Sequence, residues 1–289
     1  MKTLKQVFAV IFLMGAFTRL SAQTRADEHI PRIPGQNNFT QEMTVPLSEP
    51  GKPVTLETHL LSGTIKVTGY EGKDVIVQIQ VDSSKDEEDR DDDAQGMKRI
   101  GTSGGLDIRV EEHDNVVRIN TGSMRDKMIW LTIKVPQNTA KINVGSVNGG
   151  DIDVSNVSGK VEISNVNGAI KATGISGSVV ANTVNGDVVV RFKTVDAATS
   201  MAFSSLNGKI DVTLPADTKA DLKLKSGKGD IFSDFDVVVD KTQPKLETRN
   251  EDHYHEIKID DWVHGKINGG GSEIMMQSTF GSIYIRKVK

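Results

Sequence analysis

The sequence predicts an all-β fold, a β-solenoid wound from one chain in nine-residue strand-turn units. Three observations predict it. An aliphatic residue followed by Asn-Gly or Ser-Gly recurs at spacings of 10, 9, 9 and 9 from Val147, through Val157, Val166 and Ile175, to Val184. After each glycine the aliphatics alternate, as in Val161 and Ile163 or Val188 and Val190, which puts them on one face of a short strand. The composition agrees: 27 glycines, 5% aromatic residues and no cysteine suit bends and stacked aliphatic ladders better than an aromatic-rich core.

Each unit has a local rationale. Asn-Gly or Ser-Gly supplies the positive φ expected at a bend, and the aliphatic just before it is expected to return to the interior. One unit cannot bury its apolar face alone, whereas stacked units bury a continuous one, two units making a coil of about eighteen residues. Looser copies stand at Leu61-Ser62-Gly63 and Leu206-Asn207-Gly208, around Gly227 to Ile231, at Ile267 to Met276, and at Gly281 to Ile285. Ahead of the repeat, strands are predicted at Val54 to Leu60, Val75 to Val81, Leu106 to Val110, Val116 to Ile119 and Ile129 to Val135.

The flanking segments complete the organisation. Lys2 and Lys5, an apolar run from Val7 through Phe17 and small residues at Ser21-Ala22 form the pattern of a secretory signal peptide over 1–22. Residues 23–50 are expected to be an N-terminal extension or cap, and residues 51–289 the solenoid. An acidic connector at 82–98, the one place where a helix is expected, opens with eight acids against Lys85 and Arg90 between Asp82 and Asp93. It lacks the central glycine and alternating ligands of a calcium loop, so it reads as a solvated connector. Irregular spacing marks an insertion at 232–266. No second long apolar run follows the signal, so no transmembrane segment is expected after its removal, and the predicted location is the periplasm, the medium or the cell surface.

Composition also narrows the chemistry. Without cysteine the chain has no disulfide, thiol nucleophile, Cys-based zinc site or lipoprotein cysteine. A formal charge of −4 gives no reason to expect nucleic acid as a partner.

The run Leu131-Thr132-Ile133-Lys134-Val135-Pro136, the Asn-Gly nonads after it, and Ser204 through Pro215 resemble the bacterial putative adhesin family of unknown function. Ile267-Asn268-Gly269-Gly270-Gly271 followed by Gly281 through Ile285 is similar to the same family. The resemblance spans about Val54 to Lys287. It implies an exported, right-handed, single-stranded β-solenoid and supplies no catalytic residues.

Candidate sites must then come from the residues themselves. His253 and His255 flank Tyr254 on one side of an extended segment and are the metal-ligand candidates, beside Glu251, Asp252, Glu256, Asp260, Asp261 and His264; a polar insertion facing water is the simpler reading. Asp151, Asp187 and Asp230 follow glycines, but Lys160, Ala169, Ser178 and Lys209 at equivalent positions break any calcium ladder. Asp151, Asp153 and Asp211 are the carboxylates that a carbohydrate-active enzyme would need close together. Trp130, on the strand face opposite Ile129, Leu131, Ile133 and Val135, is a partner-contact candidate, with packing under the stretch Ile30 to Pro50 as the structural alternative. Tyr254 and Trp262 are further contact candidates. Asn148, Asn167, Asn185, Asn207 and Asn268 are expected to form asparagine ladders at the turns. The resulting expectation is a non-enzymatic binding or structural module of the cell envelope, without a cofactor, whose partner is an envelope polysaccharide or envelope protein. The alternatives are a β-helix enzyme of the polysaccharide-lyase type and an envelope-stress accessory protein.

Overall fold

A computed structural model describes residues 38–82, 108–121, 128–240, 246–251, 254–259 and 262–289. These residues lie within the unit Gln36–Lys289. The expected signal segment 1–22, the connector from residue 83 onward and His253 lie outside the described residues. Among the described residues every regular element is a strand.

In chain order the strands open with β1 (Asn38–Val45), β2 (Val54–Tyr70), β3 (Val75–Asp82), β4 (Ile108–His113), β5 (Val116–Thr121) and β6 (Ile129–Pro136). Next come β7 (Thr139–Asn148), β8 (Ile152–Ser155), β9 (Ser158–Asn165), β10 (Ile170–Asn185), β11 (Val188–Val195), β12 (Met201–Asn207) and β13 (Ile210–Leu214). The last group is β14 (Ala220–Ser226), β15 (Ile231–Ser233), β16 (Val238–Val239), β17 (Leu246–Glu251), β18 (Tyr254–Ile259), β19 (Val263–Ile267), β20 (Ser272–Ser278) and β21 (Ile283–Lys287). All but the β17–β18 hairpin belong to one nineteen-stranded sheet.

Most of the pairing is parallel, and its register follows the repeat. Ile152 faces Ile170, and Ile170 faces Val188, so neighbours across the ladder lie 18 residues apart, two nonads rather than one. The strands fall into two parallel ladders. One runs β5, β2, β7, β9, β10, β12, β20, β14. The other runs β6, β2, β8, β10, β11, β13, β21, β15. The long strands β2 and β10 contribute to both, so each layer holds one segment in each ladder. Antiparallel strands flank the ladders at the ends: β3 with β1 on β6, β4 on β5, and β19 with β16 on β14.

Columns of β-branched residues hold the layers together. Ile65, Ile152, Ile170, Val188, Ile210 and Ile283 stand in one such column, each with no exposed surface. Burying a side chain of this size stabilises by about 1.5–3 kcal/mol, and identical branching lets neighbours stack at the strand spacing without gaps. Val67, Val154, Ala172, Val190, Val212 and Ile285 form a parallel column.

The layers do not stack in chain order. A chain wound continuously would seat β14–β15 on β12–β13. Instead β20–β21 lies between them: Phe203 faces Met276, and Met276 faces Leu224. At the other end β2 is held between β5–β6 and β7–β8. In these places the late strand pair and the early one each have hydrogen-bonding neighbours on both sides, which removes open edges that a simple winding would leave.

Candidate functional site

The Asn-Gly bends build the most regular surface of the molecule. Two residues before Asn148, Asn167, Asn185 and Asn207 stands a small polar residue whose side chain points inward. Ser146 Oγ donates to the Gly63 carbonyl at 2.8 Å, Asn165 Nδ2 to Gly150 at 2.8 Å and Thr183 Oγ1 to Gly168 at 2.9 Å. Ser205, Ser278 and Ser226 continue the series to Gly186, Gly208 and Gly281 at 2.8, 2.8 and 3.0 Å. Each rung satisfies a glycine carbonyl of the neighbouring layer that the bend turns inward, where an unpaired carbonyl would cost free energy.

Because that polar residue takes the inward position, the aliphatic after it must point out. This corrects the expectation that the leading aliphatic returns to the interior. It holds for Val157 and Ile175 before Ser-Gly and for Ile267 before Asn-Gly, all buried, and fails along one edge made of four Asn-Gly units and the Ser-Gly unit of Leu61. There Leu61 is 45% exposed, Val147 41%, Val184 37% and Leu206 43%, with Val166 half-buried between them. The backbone bonds Asn167 N–H to Val147 O and Asn185 N–H to Val166 O, with the pairs Ser62–Asn148 and Asn185–Asn207, align all five in one row. The result is an outward aliphatic ridge crossing five consecutive layers.

The expected positive φ is present at Gly149 and Gly269, at 66° and 90°, whereas Gly168, Gly186 and Gly208 serve close approach instead, a partial correction. A Cβ on Gly186 would lie 2.2 Å from the Gly168 carbonyl oxygen, and one on Gly208 would lie 2.0 Å from that of Gly186. The expected asparagine ladder is shorter than the five-residue run. Asn207 Nδ2 donates to Asn185 Oδ1 at 2.7 Å, and Asn185 Nδ2 to Asn167 Oδ1 at 2.8 Å. Asn167 Nδ2 then turns to the Val147 carbonyl, and Asn268 bonds the carbonyls of Ala216 and Thr218 elsewhere.

Two outward faces run beside this edge. On one, Trp130 is half-buried in a row with Thr64 and Gln80, while Ile129, Leu131, Ile133 and Val135 are buried behind it. Gln80 in turn faces Thr40 of β1, so the strand from the flanking stretch lies two places away from the indole. Trp262 is half-buried at the far end, with Lys223 Nζ 4.8 Å and Lys225 Nζ 5.9 Å from its ring centre. In the β17–β18 hairpin Tyr254 pairs in register with Glu251, and His255 with Asn250. Among the described residues no group of three or more His, Asp or Glu side chains is placed to hold a metal ion.

One further aromatic contact was not visible in the sequence. Phe232 and Tyr284 stack at 5.3 Å, and the Arg286 guanidinium lies 5.1 Å from the Tyr284 ring. Arg286 Nε also donates to Asp211 Oδ1 at 2.8 Å. The two aromatic residues are far apart in the chain and meet only because β21 is inserted beside β15.

Of the carboxylates that an enzyme reading requires, Asp211 is not brought beside Asp153. Asp153 and Asp211 share a row but stand three layers apart, roughly 14 Å at the strand spacing. Paired carboxylates of glycoside hydrolases lie about 5–9.5 Å apart. Asp151 and Asp187 have structural partners, each accepting a backbone N–H from the next layer, of Ala169 at 2.8 Å and Lys209 at 3.0 Å. Glu162 lies between Lys141 and Lys160, both at 2.7 Å, and the hydrogen bonds from Lys141 and then Lys160 hold its carboxyl below the usual range.

Residues 150–268 match the family model described as Toastrack DUF4097. This segment is similar to the Toastrack family. No curated protein matches the chain in sequence. Among solved structures, it is similar to a "putative cell adhesion protein" from Clostridium sporogenes at 11% identity and a TM-score of 0.34, over 86% of this chain and 100% of that one. A "putative adhesin" from Bacteroides fragilis gives 13% identity and a TM-score of 0.37, over 87% and 97%. A "putative lipid binding protein" from Parabacteroides distasonis gives 11% and 0.31, over 88% and 97%. The matched segment ends before β20–β21, although that pair fills the place between two of its layers.

Proposed function

We propose that this chain is an exported, non-enzymatic binding module of the cell envelope. Its layers are pairs of nine-residue units wound as a right-handed β-solenoid, and its outward faces contact an envelope polysaccharide or an envelope protein. The 18-residue parallel register supports the winding. The binding reading rests mainly on half-buried aromatic side chains that keep part of their ring surface on the outside of the layered sheet. Trp262 beside Lys223 and Lys225 offers an apolar ring framed by cations, and Trp130 and the Phe232–Tyr284 stack add ring surface elsewhere. Such rings take the apolar face of a sugar or a partner side chain at little entropic cost.

The test is capture from envelope extracts, with a glycan array in parallel, using the wild type, Trp262→Ala and Trp130→Ala. The reading expects a saturable ligand for the wild type whose retention falls about tenfold or more in at least one variant. Equal retention by all three proteins would place recognition elsewhere. Release of unsaturated sugars from a polysaccharide panel would overturn the non-enzymatic reading.

A further inference from the structure

The aliphatic ridge at the Asn-Gly edge points outward, because the inward positions beside it belong to the polar rungs and, at Leu61, to the buried Leu60. We infer that the ridge is the contact surface for a second copy of this chain, docked antiparallel about a two-fold axis crossing at Val166.

Three observations on this edge specify that occupant. First, the ridge is palindromic: Leu61, Val147, Val166, Val184 and Leu206 occupy consecutive layers. A two-fold at Val166 sets each leucine against the other leucine, Val147 against Val184, and Val166 against itself. An isologous contact needs this self-complementarity. Second, the borders are almost free of charge in a chain that is 26% charged. On the bend side stand Ser62, Asn148, Asn167, Asn185 and Asn207; on the strand side stand His59, Gly145, Ser164, Asn182 and Ser204. Only His59 among these ten ionises, so two copies can meet without like-charge repulsion. Third, amides both donate and accept, so an asparagine row facing its own copy finds partners whichever way each amide is turned.

Dimension sets the strength. Five rungs at the strand spacing span about 19 Å. A strip of that length and three rows wide covers well under the roughly 800 Å² per partner of a stable complex. The dimer is therefore reversible, with a dissociation constant from about 1 µM to 1 mM.

Sedimentation equilibrium tests this on the protein recovered from expressing cells. The wild type should rise from one protomer's mass toward two across that concentration range, with little dependence on salt because the borders are neutral. Val166→Lys and Val166→Asp should each stay monomeric, since the two-fold places like charges face to face. An equimolar mixture of the two should dimerise again, an outcome that misfolded variants cannot produce. A wild type that stays monomeric throughout would overturn the proposal, as would variants that dimerise alone or a mixture that fails to. The readout is independent of the Trp262 and Trp130 capture experiment, so the envelope-binding reading and the self-association can fail separately.

Discussion

Thr183 and Val184 are chain neighbours with nearly identical side-chain shapes and opposite assignments in this structure. Thr183 is 6% exposed and its hydroxyl donates to the Gly168 carbonyl at 2.9 Å; Val184 is 37% exposed on the ridge. Thr183→Val keeps the volume and β-branching but removes the donor, leaving a carbonyl unpaired at the interior side of the bend. That costs about 1–3 kcal/mol. Val184→Thr adds a hydroxyl at an outward position with solvent access and should change stability by no more than about 0.5 kcal/mol. Urea unfolding followed by circular dichroism reads the difference as a midpoint lowered by about 0.5–1 M for Thr183→Val, with an unchanged slope, and almost no shift for Val184→Thr. If Val184→Thr were the more damaging change, the inward polar rungs and the outward ridge would both be wrong.

Two other perturbations address separate parts of the structure. Gly186→Ala would put a methyl group 2.2 Å from the Gly168 carbonyl oxygen, so it should cost about 1–3 kcal/mol or prevent folding, seen as a lower melting temperature or lost soluble yield. Glu162→Gln should lower stability at neutral pH by up to about 1 kcal/mol, as expected for a partly exposed ion pair. Because the folded Glu162 carboxyl is held below its ordinary value, its contribution is complete above the unfolded value of about 4.3 and is lost as pH falls through the folded value. Melting curves of the wild type and Glu162→Gln should therefore differ at pH 7 and converge in acid.

Much of the architecture was legible in the nonads. The alternation after each glycine placed Val161, Ile163, Val188, Val190, Ile210 and Val212 inward, and all are buried. The strand Ile129 to Val135 likewise placed Trp130 on the face away from its aliphatic neighbours. The direction of Val147, Val184 and Leu206 was not legible, because the sequence motif before Asn-Gly looks like the one before Ser-Gly. A polar residue one place earlier does not by itself separate them, since Asn156 precedes the buried Val157. What differs is that Ser146, Asn165, Thr183 and Ser205 turn inward to bond a glycine carbonyl of the neighbouring layer, and that contact appears only in the structure.

Layer order was hidden for a different reason. Strand periodicity reports which face a residue occupies but carries no information about which strand lies beside it. The insertion of β20–β21 between β12–β13 and β14–β15 follows from pairings 52 and 73 residues apart in the chain. The Phe232–Tyr284 stack depends on it entirely, which is why neither residue was a sequence candidate. Trp130 was found because strand alternation turns it away from its aliphatic neighbours and Trp262 because it stands in the irregular insertion, whereas the ridge was missed as a surface because aliphatics are common.

Every row of the molecule, from the polar rungs to the ridge and the aromatic stack, depends on this layered register. The cysteine-free chain allows a direct measurement. Ser204 faces Gln277, and Gln277 faces Lys225, so Ser204 and Lys225 are separated by one intervening strand. Paired Cα atoms of neighbouring strands lie within the roughly 4.4–6.8 Å that a disulfide spans, and a two-strand separation of about 9.6 Å does not. Under mild oxidation, the Ser204→Cys/Gln277→Cys double variant should close an intramolecular disulfide in the folded state, and Ser204→Cys/Lys225→Cys should remain reduced until the protein is unfolded. Rapid closure of the second pair with none in the first would mean that the layers follow chain order, and the interleaved register of β12, β20 and β14 would be contradicted.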